Sequence, residues 1–395
     1  MQTKRQSAIL SAGSVSNSRP VAILQVCSAL LIAFGLALPA EATLFSDTNL
    51  VTDNQAANPA LITDPNLVNA WGISHSGASP FWVSDNGTGL ATLYRIDPVT
   101  NIPTTQSLVV SIPSAAFTPT PTGQVFANVA GSFNGDTFLF VSEDGTVSGW
   151  RGALGTTAET LVLGSVANVY KGSALATIGG NAYLYAANFR NGTIDVFKGN
   201  AGAINLAGTF SDPSLPAGYA PFDIQNLNGT LYVTYALQNG AKHDDVAGPG
   251  NGFVSAFDLQ GNFLGRIASD GALNSPWGLA IAPASFGAFA GDLLVGNFGD
   301  GRIDAYNLVT HALQGPLLGT NGTPLEIDGL WGLMPGNGGS GGSPQSIYFS
   351  AGPGGEQHGL FGVISAPGSV PEPATLALLG LGLAGIAASR RRKSN

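Results

Sequence analysis

Short apolar runs alternate with turns of Gly, Asn and Asp along this chain, and the same order of runs recurs. Between Ser275 and Tyr306 it reads SPWGLAIAP, a spacer, then GDLLVGNFGDGRIDAY. Leu279 and Ile281 alternate with small residues, and Leu293 to Val295 is a continuous apolar run. Gly299-Asp300-Gly301 then makes a tight turn before Ile303, Ala305 and Tyr306 resume a strand pattern. The unit is therefore strand, loop, strand, turn, strand. Degenerate copies run over Ala70–Asp97, Val125–Gly152, Gly172–Gly199, Ala220–Gly261 (with an insertion) and Leu330–Ser365.

Aligned starts at Trp71, Phe126, Gly172, Pro221, Trp277 and Trp331 recur roughly every 50 residues. Each link between copies holds a fourth strand: Gln106–Ile112, Glu159–Gly164, Ile204–Phe210, Phe263–Ala268 and Ala312–Leu318. Six copies of about four strands each predict an all-β fold, a single six-bladed β-propeller over residues 43–367. Five links leave the sixth blade without an outer strand. Asn49–Thr52 is a strand with no neighbour of its own, so it is expected to pair with the sixth blade and close the ring, removing a sheet edge. A two-domain sandwich is the alternative, against which stands the lack of any linker between Leu44 and Pro367. The Gly/Ser run from Gly336 to Ser343 lies inside the sixth copy and reads as a surface loop.

Composition agrees with this reading. Charged residues are 10% of the chain, against roughly 25% in an average soluble domain. Gly contributes 55 residues and hydrophobic types 44%, which suits a turn-rich chain with a sizeable core.

The two ends have a different character. Residues 1–42 read as a signal peptide: Lys4, Arg5 and Arg19 precede or flank the apolar Val21–Leu38, and Ala40-Glu41-Ala42 is a small-x-small cleavage site. The single cysteine, Cys27, falls within it, so the mature chain is expected to hold no disulfide, thiol nucleophile or Cys-bound metal. Residues 368–395 begin with Val370-Pro371-Glu372-Pro373, continue as an apolar stretch over about 374–389, and end in Arg390-Arg391-Arg392-Lys393. That stretch is long enough to span a bilayer with snorkelling arginines, and the basic cluster stays cytoplasmic. These three parts in this order resemble the PEP-CTERM sorting signal of exopolysaccharide-producing Gram-negative bacteria. The resemblance implies export, retention at the inner membrane facing the periplasm, and processing by the membrane protease exosortase. Release to the cell surface or extracellular matrix would follow. A plain tail anchor would leave the body on the same side.

Between the two ends the chain carries 8 basic and 22 acidic residues, a net charge of −14. Such a surface repels nucleic acid and anionic lipid, so membrane contact is expected only through the C-terminal helix. DPNLVNAWGI (Asp64–Ile73), KHDDVAGPGNGFV (Lys242–Val254), SPWGLAIAP and HGLFGVI (His358–Ile364) resemble exported bacterial PEP-CTERM-tailed, NHL-like propellers of unknown function. That likeness implies fold and compartment, not an activity.

Candidate chemistry sits in two loops. In an up-and-down blade, the connections between strands two and three surround one mouth of the central channel. Blade 4 inserts Lys242-His243-Asp244-Asp245 there, and blade 6 places Glu356-Gln357-His358 at the equivalent point. His243, Asp244, Asp245, Glu356 and His358 are candidate metal or catalytic residues. Meeting over the channel, they suit a divalent cation, or a base beside an electrophilic metal. The plainer reading is two solvated loops. The turns Asp85-Asn86-Gly87-Thr88, Asp144-Gly145-Thr146, Asn191-Gly192-Thr193 and Asp300-Gly301 are explained by hairpin geometry, which calls for positive φ. The Trp-Gly pairs at Trp71, Trp277 and Trp331 read as packing between blades rather than as a sugar platform. No Gly-x-Ser-x-Gly elbow at a strand-to-helix turn, no His-Glu-x-x-His and no phosphate loop is present. The expected function is thus a surface or matrix binding or structural module, with polysaccharide or a surface protein as partner. The alternative is a metal-dependent lyase or lactonase using the His243 and His358 loops.

Overall fold

The computed structural model describes residues 43–115 and 118–367. The expected signal peptide with Ala40 and Ala42, and the tail with Val370–Pro373, the apolar stretch and Arg390–Arg392, lie outside the described residues. The described chain forms six sheets whose consecutive strands pair antiparallel; the sixth also takes up Leu44–Thr52, which pairs in parallel with Ile62–Thr63 and Leu318–Gly319. Blade 1 comprises Ala70–Ser74, Phe81–Asp85 and Leu90–Ile96, with Pro103–Thr105 and Val110–Ser111 both on its outer edge. Blade 2 is Pro121–Phe126, Phe138–Ser142, Val147–Trp150 and Glu159–Val162, and blade 3 is Tyr170–Ile178, Asn181–Asn188 and Thr193–Lys198. Blade 4 comprises Tyr219–Leu227, Thr230–Leu237, Phe253–Phe257 and Phe263–Ser269; blade 5, Pro276–Ile281, Leu293–Asn297, Ile303–Tyr306 and Leu313–Pro316. Blade 6 holds Leu330–Pro335, Ser346–Ala351 and Leu360–Ser365. Leu44–Thr52 lies antiparallel on its outermost strand, from Ser46 opposite Ser365 to Thr52 opposite Leu360.

The apolar runs are buried on both faces because each sheet packs against two neighbours. Six hydrophobic clusters lie at the six blade-to-blade junctions, one between each adjacent pair. Phe45 is fully buried at the junction of blades 5 and 6, its ring 4.8 Å from Phe286. The Gly336–Ser343 loop is more than a surface excursion: Asn337 donates to the Ser76 and Ser79 carbonyls, and the Ile96 amide bonds to Ser340, tying blade 6 to blade 1.

Two details depart from the sequence reading. Phe126, aligned above as a blade start, ends the first strand of blade 2, which begins at Pro121. Pro121 to Gly123 carries little strand signal, so the pattern alone places the start late. The second departure is at Ile204–Phe210, expected as the outer strand of blade 3, which forms no strand, and blade 3 has three. The segment is drawn to blade 4 instead, where the Gly208 and Phe210 amides bond to the carbonyls of Gln260 and Gly261. A Cβ on Gly208 would lie 2.3 Å from the Gly261 carbonyl carbon, so glycine permits this approach.

Candidate functional site

The innermost strand of every blade carries a β-bulge at the same height. The register slips between Ala70 and Ile73, Pro121 and Gln124, Tyr170 and Ser173, Pro221 and Asp223, Pro276 and Gly278, and Leu330 and Leu333. A bulge re-aims a side chain. The residues in these slips, Trp71, Thr122, Lys171, Phe222, Trp277 and Trp331, form one sixfold set around the axis. Trp71 and Trp331 stack with ring centroids 3.7 Å apart, Phe298 stacks on Trp331 at 4.0 Å, and Trp277 meets Trp331 edge-on at 5.7 Å. Together with Phe189 and Phe222 they form an apolar plug. The glycine that follows in most blades admits the next strand: a Cβ on Gly172 would sit 2.5 Å from the Asp223 Cα, and one on Gly278 would sit 2.5 Å from the Trp331 carbonyl oxygen.

Lys171 is the one cation of this set. Its ammonium lies 4.9 Å from the Trp71 ring centroid, and its side chain is only 2% exposed. Such a charge is stable only when paired. Lys171 Nζ donates to Glu143 Oε1 at 2.6 Å and lies 3.5 Å from Asp244 Oδ1, which bonds to His243 Nδ1 at 2.7 Å. On the other side, Asn86 donates to Glu143 Oε2 at 3.1 Å, and Asn69 donates to Asn86 Oδ1 at 3.1 Å and to Glu356 Oε2 at 2.7 Å. Trp331 Nε1 closes the network onto Asn69 Oδ1 at 3.3 Å. One continuous network thus runs from Glu356 to His243 over the plug, using side chains of blades 1, 2, 3, 4 and 6.

The electrostatics follow from this geometry. Burial alone would lower the Lys171 pKa, but the carboxylates of Glu143, Asp244 and Glu356 hold it above the ordinary value, so the amine stays protonated. The hydrogen bond from His243, with Lys171 nearby, holds Asp244 down at about 2. Burial pushes the Asp245 and Glu356 carboxyls up; Lys171 opposes the rise at both, and the Asn69 bond opposes it at Glu356.

Among the sequence candidates, the structure brings His243, Asp244 and Glu356 into this network and sets Asp245 beside it. His358 goes elsewhere: its Nδ1 lies 2.9 Å from Asp53 Oδ2, on the segment that follows the Leu44–Thr52 strand. A donor group of Glu143, His243 and Asp244, all within 4.8 Å of one another, forms without it. Sequence reading missed Lys171, Glu143, Asn86 and Asn69. Asn86 and Glu143 belong to the tight turns or lie next to them, where hairpin geometry already accounts for the sequence. The signal for Lys171 was present, since Lys171-Gly172 stands where other blades have Trp-Gly.

Beside the network opens a groove of about 340 Å³, lined by Thr120, Glu143, Asn168, Val169, Arg190 and His243 among others. Arg190 donates from Nη1 to the Val166 carbonyl at 2.6 Å, while its buried Nε has no hydrogen-bond partner among the described residues. The groove therefore presents carboxylate, hydroxyl and amide groups and a ring nitrogen beside the apolar Val166 and Val169.

Comparison with known proteins adds the following. The PEP-CTERM protein-sorting motif matches residues 369–393. The uncharacterised protein R648 of Acanthamoeba polyphaga mimivirus is 35% identical over 317 residues, which are 75% of this chain and 75% of the relative. The uncharacterised mimivirus protein L690 is also 35% identical, over 69% of this chain and 74% of its own length. Among solved structures, a streptogramin B lyase aligns at 12% identity and TM-score 0.44, over 82% of this chain and 97% of the other. A nidogen/laminin complex aligns at 14% identity and TM-score 0.40, over 68% and 84%. At that distance neither activity nor partner transfers.

Proposed function

The chain belongs to the same family as the mimivirus proteins R648 and L690, and with its sorting signal as the second premise we propose that it is an exported binding propeller. It acts at the cell surface or in the exopolysaccharide matrix and takes a hydroxyl-rich saccharide in the groove beside Lys171. The PEP-CTERM motif marks the chain as an exosortase substrate bound for the surface; the signal peptide, the inner-membrane stage and the spanning helix at about 374–389 belong to this proposal. The observation that carries the binding role is the groove of about 340 Å³ itself, which sets Glu143, Asn168, Arg190 and His243 beside the apolar Val166 and Val169. Lys171 organises the site electrostatically; held protonated, it is no base or nucleophile.

Titration calorimetry of the processed protein with oligosaccharides from the producing cell's matrix tests this reading. Wild type should bind, and Arg190→Ala or His243→Ala should each weaken binding about tenfold, the equivalent of one charge-assisted hydrogen bond. Unchanged affinity in both variants, or no binding at millimolar saccharide, sinks the assignment.

The donor group of Glu143, His243 and Asp244 supports a second reading, a divalent-cation site and with it the lyase or lactonase alternative. These residues fit a hard cation only in part, because Lys171 already pairs with both Glu143 and Asp244. In that reading a cation would displace the ammonium, so Lys171→Met should raise cation affinity.

We also infer that Leu44–Thr52 closes the ring, as its pairing with Leu360–Ser365 suggests. If so, the amides of Thr48 and Val51 should exchange hydrogen only on global unfolding. Exchange by local fraying would show a ring held shut by other contacts.

A further inference from the structure

We propose that blade 3 is a docking site for an extended peptide, which adds to it as the fourth strand. In each of the other five blades, the third strand is covered by a further strand of this chain, ranging from the two short pieces on blade 1 to the nine residues Leu44–Thr52 on blade 6. In blade 3 alone, Thr193–Lys198 has a partner on one side only.

The direction of its free backbone groups follows from the register. Gly199 N–H bonds to the Ala182 carbonyl at 2.8 Å. Bonded pairs alternate along an antiparallel ladder, so Phe197 with Leu184 and Asp195 with Ala186 are also bonded pairs. The N–H and C=O groups of Ile194, Val196 and Lys198 therefore face outward, and no backbone group of the described residues bonds to them. They border a groove of about 470 Å³, lined on the strand side by Ile194 and Val196 and on the other by Leu206 and Phe210.

The other side is the Ile204–Phe210 link, which leaves the place empty because it is held back at both ends. Tyr183 Oη donates to the Ile204 carbonyl at 2.9 Å, and beyond it Gly208 and Phe210 are bonded to blade 4. Three outward-facing donor–acceptor pairs beside an apolar wall match the main chain and alternate side chains of a β-strand, the recognition mode of strand addition. One end of the groove sets the charge of the guest. Lys198 Nζ is bonded to the Ala203 carbonyl at 2.9 Å and to Asn205 Oδ1 at 3.1 Å, with no carboxylate partner among the described residues. The occupant is thus an extended segment of another protein, apolar at alternate positions and acidic at the end over Lys198.

The probe is a fluorescein-labelled peptide, Thr-Val-Thr-Val-Thr-Asp, added to the full exported chain, with a version carrying Pro at both Val positions as control. Saturable binding is expected for the first peptide and none for the second. Lys198→Gln should weaken it severalfold, and Val196→Pro, which removes one outward N–H, at least tenfold. Lys198 is exposed, so its variant keeps the test decisive should Val196→Pro misfold. Hydrogen exchange at Ile194, Val196 and Lys198 should be fast in the free protein and slow with peptide. Three results overturn the proposal: protection of these amides in the peptide-free monomer, meaning the chain's own Ile204–Phe210 has paired; protection that grows with protein concentration, meaning a second copy pairs there; or no saturation at millimolar peptide.

Discussion

Replacing Lys171 by Met is expected to lower the folding free energy by about 3–5 kcal/mol, the usual cost of removing one partner of a buried ion pair. The magnitude comes from what is left behind. Glu143 would keep the Asn86 hydrogen bond but lose its 2.6 Å ammonium partner, and Asp244 and Glu356 would lose the one cation among them. Methionine matches the stem of lysine in length and can still pack on the Trp71 ring, so the loss is electrostatic rather than steric. Adding Glu143→Gln to the variant should therefore restore a large part of the stability, because the uncompensated charge is then gone. Urea unfolding followed by circular dichroism measures both. The Lys171 pKa is raised in the folded state, so the contribution is fully present below its ordinary value of 10.5 and is lost as the pH rises through the higher folded value. A Lys171→Met variant as stable as wild type at pH 7 would mean that the ammonium does not hold the network together.

Trp331→Ala by itself is expected to cost about 3–5 kcal/mol, the range for truncating a large buried aromatic. Trp331 is 1% exposed and sits at the middle of the plug, stacked between Trp71 and Phe298. Its indole N–H also holds Asn69, which connects Glu356 to Asn86. The substitution should then do two things at once: destabilise the ring, and speed hydrogen exchange around Asn69 and Asn86 beyond what lost stability explains. Trp331→Phe, which restores the stacking but not the N–H, separates the two effects. It should recover most of the stability and little of the local protection. If Trp331→Phe restores both, Asn69 is positioned by its other contacts.

Much of this architecture is legible along the chain. The apolar runs, the Gly and Asn turns and the repeated Trp-Gly pairs specify six units that each bury two faces, and a ring is the arrangement in which every unit has two neighbours. These are contacts within a blade or between consecutive blades, and they depend on local strand periodicity. Even Lys171 was marked, by replacing the Trp of the repeat.

The site was decided elsewhere. His243 and His358 occupy equivalent loops, yet one reaches Asp244 on the axis side and the other turns to Asp53. Glu143 and Asn86 read as ordinary turn residues until the ring brings their blades to the same mouth. Ile204–Phe210 has the composition of a strand, but its amides bond to the hairpin of blade 4 rather than to blade 3. The sequence by itself determined the repeating strands, because strand pattern and turn chemistry are local. The tertiary structure alone decided which polar side chains meet at the mouth and which blade edge stays open, because those depend on the closing geometry of six blades and on competition between neighbouring blades for the same backbone groups.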